Sequence, residues 1–232
     1  MSPVERMTVS TAMEYHHFVR REIGPLLPAN AIHILEVGAG AGSTLKWLKD
    51  IFPAAETTAV EINTSVADEL KSNVDRALLG GIEETFPQLR QYDLILLLDV
   101  LEHLADSATV LRNLASLLTP TGSVIVSLPN IAHFSVSVPL LLRGRFEYQD
   151  AGIMDRTHLR FFVKETAVRL LNDAGLLVDR GLISGLQGPK TRLADSVTLG
   201  LLRDRLAKQY IMRGQINSER LPQPSIRWSV AH

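Results

Sequence analysis

The sequence predicts an α/β domain built on a doubly wound, mostly parallel sheet. Three observations carry this. Apolar runs of strand length at 32–37, 57–60, 94–98 and 123–128 alternate with stretches whose apolar residues recur at helical spacing. The run at 94–98 is unbroken, and the others are mostly apolar rather than strictly alternating, as expected of strands covered on both faces. The first run opens directly into Gly38-Ala39-Gly40-Ala41-Gly42 and then a helical pattern from Ser43. Glycines spaced two apart let a backbone bend sharply and approach a ligand, while the helix start points free N–H groups and the positive dipole end at the same place.

Taken in order, apolar positions from Met13 to Leu27 fit a helix that Pro28 ends, so residues 1–30 read as an N-terminal helical cap over a cleft. Leu45, Leu48, Ile51 and Phe52 form a helical stripe after the glycine loop, and residues 57–60 make the second strand. Val66, Leu70, Val74 and Leu78 continue at four-residue steps as a further helix. A strand at 94–98, a helix at 108–118 and a strand at 123–128 follow. Residues 131–162 show no clear period, carry Pro139, Gly144 and Gly152, and read as an insertion covering a substrate. A helix at 164–174 stops at Gly175, and strands at 176–179 and 209–213 flank an amphipathic helix at 193–206. Residues 215–232 read as a loose tail, although Ile226, Trp228 and Val230 alternate as an edge strand would. The whole of 1–232 reads as a single domain.

Composition narrows the function. With 24 basic and 25 acidic residues the net charge is −1, which gives no general attraction for nucleic acid or an anionic membrane. The apolar stretches are far shorter than the roughly 20 residues that span a bilayer. The absence of cysteine excludes disulfides and thiol nucleophiles and suits a reducing cytosol. A cytoplasmic protein acting on a small molecule, as a monomer or homodimer, is the expectation.

The glycine loop lacks the third glycine of a dinucleotide fingerprint, since Ser43 stands where it should be. What remains is Glu36 before the loop and Glu61 at the end of the second strand, an acid placed to accept hydrogen bonds from ribose hydroxyls. Downstream stand Tyr92-Asp93-Leu94-Ile95-Leu96-Leu97-Leu98-Asp99, then Val100-Leu101-Glu102-His103-Leu104, and then Thr119-Pro120-Thr121-Gly122 leading to Leu128-Pro129-Asn130. With Asp155-Arg156-Thr157-His158-Leu159-Arg160, these segments resemble the class I S-adenosylmethionine-dependent methyltransferases, in a small-molecule branch often associated with bacterial glycan or quinone biosynthesis. The resemblance covers roughly residues 15–180. It implies a seven-stranded sheet with its last strand antiparallel, S-adenosylmethionine as cofactor with S-adenosylhomocysteine as product, and transfer to a hydroxyl, or less readily an amine, of a small acceptor such as a sugar. A nicotinamide-dependent oxidoreductase and a non-catalytic subunit of the same fold stay open as alternatives.

By the same resemblance, Gly38, Ala39, Gly40 and Gly42 meet the amino-acid part of the cofactor, Glu36 orients the loop, and Glu61 and Ile62 hold the ribose. Gly81 stands where the family usually places an adenine-binding acid, so backbone contacts and Ile82, or a shifted Glu83, are expected to take that role. Asp99, Val100 and Leu101 would line the cleft beside the methionine portion. A hydroxyl acceptor needs a base, and His103, His133 and His158 are the candidates because histidine titrates nearest working pH. Arg143, Arg145, Arg156 and Arg160 could hold a phosphate or carboxylate on the acceptor, or pair with Glu147, Asp150 and Asp155 at the surface. Tyr15, His16 and His17 could close over the cofactor. Glu102, His103 and Asp99 alone are thin grounds for a cation, and a metal-free reaction is expected.

Overall fold

The computed structural model describes residues 17–217, 219 and 221–231. Its eight strands form one sheet in the order β3-β2-β1-β4-β5-β7-β6-β8, with β1 His33–Val37, β2 Glu56–Glu61, β3 Arg76–Leu79, β4 Tyr92–Leu98, β5 Leu118–Pro129, β6 Leu176–Ser184, β7 Gln209–Ile216 and β8 Arg227–Val230. Strands β1 to β5 run parallel, and β7 is antiparallel to both β5 and β6. The strand order reverses between β1 and β4. Open α/β sheets bind ligands at such a reversal, beyond the carboxyl ends of the strands.

Neighbouring residues of each central strand feed opposite faces. Leu35, Val37, Ile95, Leu97, Val124 and Val126 join one core, whereas Ile34, Leu94, Leu96, Leu98 and Ile125 join the other. The first is closed by Leu111 and Leu114 and by Ala167 and Leu171. These lie on helices numbered in chain order from α1 Ser43–Ile51: α4 Ser107–Ala115 and α6 Lys164–Asp173. The second core is closed by Leu45 and Leu48 of α1, Leu70 of α2 Ala67–Asn73, and Ile23 and Leu26. Each fully buried leucine contributes roughly 1.5–3 kcal/mol, so both faces stabilise the sheet. This is why the strands read as mostly apolar runs.

Several expectations are corrected. The sheet has eight strands rather than seven. The strand expected at 209–213 is β7 and is antiparallel as expected, but β8 follows it in the chain and runs parallel beside β6. The described residues of 215–232 are therefore not a loose tail: Gln215 and Ile216 belong to β7, and the Gln223 amide bonds both backbone groups of Val178. The alternation of Trp228 and Val230 is that of an edge strand, and Trp228 packs where Gly181 has no side chain to obstruct it.

The helix expected at 13–27 lies partly outside the described residues. Within them it is a 3₁₀ turn, Arg21–Leu26, because Gly24 and Pro25 disfavour an α-helical interior. Helix α2 stops at Asn73, and Leu78 points into the core from β3 instead of from a helix. The helix expected at 193–206 is two, α7 Pro189–Val197 and α8 Arg203–Leu206, separated by a turn with Gly200 at φ 80°. Conversely, the cover at 131–162 contains a regular helix, α5 Phe134–Arg143, ending at Gly144 with φ 61°. Pro139 within it, and the exposure of Leu141 and Leu142, had blurred its period. Among the described residues no helix is long and apolar enough to cross a membrane.

Candidate active site

The glycine loop bends as expected, with Gly38, Gly40 and Gly42 at φ 72°, 54° and 78°. At Gly38 even a methyl would be excluded, since a Cβ there would lie 2.7 Å from Val100 Cγ2. The loop is tied to β2. Gly38 N–H donates to the Val60 carbonyl at 2.8 Å, and Gly40 N–H donates to Glu61 Oε2 at 2.7 Å. The other Glu61 oxygen accepts from Asn63 N–H at 2.7 Å. Glu61 thus braces the loop, and each of its oxygens keeps capacity for a further donor. Beside it Ile62 is 75% exposed, an apolar face offered to the crevice rim rather than to the core.

Glu36 is buried at the end of β1, and its Oε2 has no hydrogen-bond partner among the described residues. Burial pushes its carboxyl up to about 8, with Arg20 opposing and Glu61 reinforcing the rise. Asp99 takes a left-handed backbone conformation, φ 59°, as the chain leaves β4. Ser127 Oγ accepts from Asp99 N–H and donates to its Oδ1, both at 2.9 Å. The Gln209 amide donates to the same Oδ1, and Arg20 Nη1 meets Oδ2 at 2.6 Å. Val100 is half-buried against the loop and Leu101 fully buried. Gly81 precedes α3 Ile82–Thr85 at an ordinary φ of −67°, and a Cβ there would meet nothing closer than 3.7 Å. Its small size is not sterically required. Ile82 is buried beneath it.

Two of the three histidines come together. The rings of His103 and His158 meet edge to face, with centroids 4.8 Å apart. His133 instead caps α5: its Nδ1 accepts from Ser135 N–H at 3.3 Å, and burial with Lys208 nearby holds its pKa low. Hydrogen bonding fixes the tautomers of the pair. Thr157 Oγ1 lies 2.6 Å from Asp155 Oδ1 and 3.0 Å from His103 Nδ1. Burial alone would raise the Asp155 carboxyl, but hydrogen bonds from Thr157 outweigh it and hold it below its ordinary value. An ionised carboxylate only accepts, so the threonine hydroxyl donates to it and must accept from His103 Nδ1–H. The free lone pair of neutral His103 is then on Nε2. The same logic places a proton on His158 Nδ1, which faces the Ile153 carbonyl at 3.1 Å, and leaves its Nε2 bare as well. Burial keeps His158 below its ordinary pKa, partly offset by that carbonyl.

Glu102, His103 and His158 offer ligand atoms within 4.8 Å of one another. Glu102 is buried with an unpartnered Oε2, and burial, then Asp99, push its carboxyl well above the ordinary range. Its backbone carbonyl accepts from Leu159 and Arg160 N–H, which pins the cover to the end of β4. Beside His158, Phe146 meets Tyr148 and Phe161 edge to face at 5.8 and 5.9 Å between centroids, while Tyr148 and Phe161 are tilted by 38° at 6.4 Å.

The arginines are dispersed. Arg145 pairs with Glu147 at 2.7 Å and Arg156 with Asp150 at 2.5 Å, both exposed, and Arg160 holds the Ala105 carbonyl. Arg143 ends α5 with no ion pair among the described residues. Tyr15 and His16 lie outside the described residues, and His17 meets Glu69 at 3.1 Å. Sequence reasoning missed Arg20, Ser127, Gln209 and the Asp155–Thr157 relay. Nothing local in the sequence ties position 20 to 99 or 209, whereas Asp155-x-Thr157-His158 was visible as a segment without a role.

Comparison with known proteins agrees with this geometry. A family model described as "Methyltransferase domain" matches residues 13–180. Methyltransferase str2 of Strobilurus tenacellus is 31% identical over 110 residues, covering 47% of this chain and 40% of that protein. A ubiquinone biosynthesis O-methyltransferase of Coxiella burnetii is 25% identical over 159 residues, covering 62% of this chain and 66% of that protein. The chain thus spans less than two thirds of the length of these relatives. A solved S-adenosylmethionine-dependent methyltransferase from Archaeoglobus fulgidus shares the fold, with a TM-score of 0.62 at 16% identity over 84% of this chain and 90% of that one. The chain belongs to the class I S-adenosylmethionine-dependent methyltransferases.

Proposed function

We propose that the protein moves a methyl group from S-adenosylmethionine to a hydroxyl of a small cyclic acceptor, with His103 as the base. The crevice suits the donor. Gly38 packs so closely on Val100 that the loop can turn here only without a side chain, Glu36 keeps a buried oxygen unpartnered, and the acids and Ile62 stand where a nucleoside can be held from two sides. When bound, the cofactor supplies an already activated methyl on a positive sulfur. The chain's own residues have then to align the acceptor, exclude water and take a proton.

The observation that carries this reading is the hydrogen-bond chain from Asp155 through Thr157 to His103, which leaves Nε2 as the acceptor of a proton. Asp155 and Thr157 stabilise the imidazolium that would form. The aromatic group of Phe146, Tyr148 and Phe161 offers a stacking wall for a sugar or an aromatic ring, and the printed names of relatives as O-methyltransferases favour oxygen over nitrogen. Arg143, which ends α5 on the cover, is the arginine this reading assigns to an anionic group on the acceptor. The absence of cysteine is in keeping with action in the cytosol, as a monomer or homodimer.

His103→Ala is expected to lower turnover roughly 100- to 10,000-fold while leaving the affinity for S-adenosylhomocysteine within about twofold. Unchanged turnover would remove His103 from the role of base. A second reading follows from the approach of Glu102 to His103 and His158, whose two bare Nε2 atoms and carboxylate form a donor set for a divalent cation. Dialysis against a chelator separates the two: the metal-free reading predicts full activity afterwards, and loss restored by one added cation supports the second.

A further inference from the structure

We propose that the α7–α8 segment is a docking surface for an anionic lipid bilayer. Between Gly188 and Lys208 the chain forms two short helices, and neither contains a buried residue. Their apolar side chains face out instead. Leu193 and Val197, one turn apart on α7, are 65% and 73% exposed, and Leu199 and Leu201 in the turn that follows are 92% and 85% exposed. None of the four belongs to either core. Neighbouring apolar side chains left in the open on a folded domain mark a site of interaction. The turn also presents them: Leu199 has φ 50°, a left-handed conformation that among the described non-glycine residues it shares only with Asp99 at the crevice.

Charge identifies what covers this face. Lys190, Arg192, Arg203, Arg205 and Lys208 lie in the same stretch against only Asp195 and Asp204, although the whole chain is close to neutral. Both acids are already engaged, Asp195 with Arg203 at 2.7 Å and Asp204 with Lys164 at 3.2 Å. Lys190, Arg192, Arg205 and Lys208 have no ion pair among the described residues. A second copy of the chain laid on this face across a two-fold axis would set these cations against themselves. An anionic membrane satisfies both kinds of group, with the leucines at the boundary of headgroups and acyl chains and the basic groups among the phosphates. The contact is with the surface only, since neither helix is long enough to cross a bilayer. The segment is tied to the end of the sheet that carries the crevice. Asn130 Nδ2, just past β5, donates to the Asp204 and Ala207 carbonyls at 2.7 and 2.8 Å, and Gln209, just past the segment, donates to Asp99. A bilayer docked here lies at that same end of the sheet, whatever the acceptor is.

Flotation of the full chain with vesicles tests the proposal. At low salt, vesicles of phosphatidylglycerol mixed with phosphatidylcholine should hold the protein about tenfold or more better than phosphatidylcholine alone. Leu199→Asp combined with Leu201→Asp should cut binding to the anionic vesicles about tenfold or more. The fold should persist in that variant, because both side chains are exposed and aspartate tolerates a left-handed backbone. Lys190→Gln combined with Arg192→Gln should shrink the preference for anionic over neutral vesicles, whereas Ile51→Asp, exposed at the end of α1, should bind as wild type does. Wild type that binds neither vesicle overturns the proposal. So does anionic binding that the double aspartate variant keeps in full, since charge alone would then account for it. Capture by polyglutamate without vesicle binding would assign the face to an acidic protein and equally overturn it.

Discussion

The two halves of the site are built differently. On the cofactor side, the loop, Glu36, Glu61 and Asp99 sit at the ends of central strands and are held by buried backbone hydrogen bonds such as Gly40 N–H to Glu61. On the proposed acceptor side, residues 144–162 carry exposed ion pairs such as Arg145 with Glu147 and Arg156 with Asp150, and hang from the scaffold through Glu102 and the Asn130–Phe162 bridge. A substitution on the first side breaks geometry that the sheet imposes. On the second it changes chemistry or recognition while the fold persists.

The sharpest way to break this contrast is Gly38→Val. A β-branched residue at positive φ adds about 1–3 kcal/mol of strain, and its Cβ would press on Val100. Loss of affinity for S-adenosylhomocysteine by more than about 100-fold is expected from that strain together with the closed approach path; near-normal binding would mean the loop is not the cofactor's seat. Next in size is Thr157→Val, which removes the relay without touching the crevice. Turnover should drop about tenfold with cofactor affinity unchanged and with recovery in Thr157→Ser; loss of cofactor affinity instead would show that the two halves are not separable.

Glu36 gives a pH test of the buried half. Its folded-state value near 8 lies above the ordinary 4.5, so between these values the folded protein keeps a proton that the unfolded chain has released. Stability from this group is therefore complete at low pH and falls as pH rises through that window. Melting curves at intervals across it should show wild type losing stability relative to Glu36→Gln as pH increases, and parallel curves would contradict the buried, unpartnered carboxyl. The smallest expected effect is Arg145→Gln, whose exposed pair with Glu147 should leave both the melting temperature and turnover unchanged. A drop in melting temperature would mean the cover is structural after all.

Legibility in the sequence follows the same division. Strand runs such as Leu94 to Leu98 were readable because both faces are covered, and the glycine loop because positive φ and close approach leave few other residues possible. Helix α5 was missed because its leucines face outward around Pro139. Leu78 was assigned to a helix because four-residue spacing happens to continue from α2 into β3. The approach of His103 to His158 was not legible, since 54 residues separate His103 from Thr157 and only the fold closes that distance. His133 was a candidate beside His103 and His158 in sequence, and in the structure its Nδ1 caps α5. Arg20 lies 79 positions from Asp99 and carried no motif at all.

The central claim is that the crevice between the glycine loop and Asp99 holds S-adenosylmethionine, and a crystal structure of the full chain grown with S-adenosylhomocysteine tests it most directly. The account predicts the nucleoside between Glu61 and Ile82 with its amino-acid end against Gly38 to Gly42. Clear density for the ligand elsewhere, with that crevice filled only by water, would contradict it.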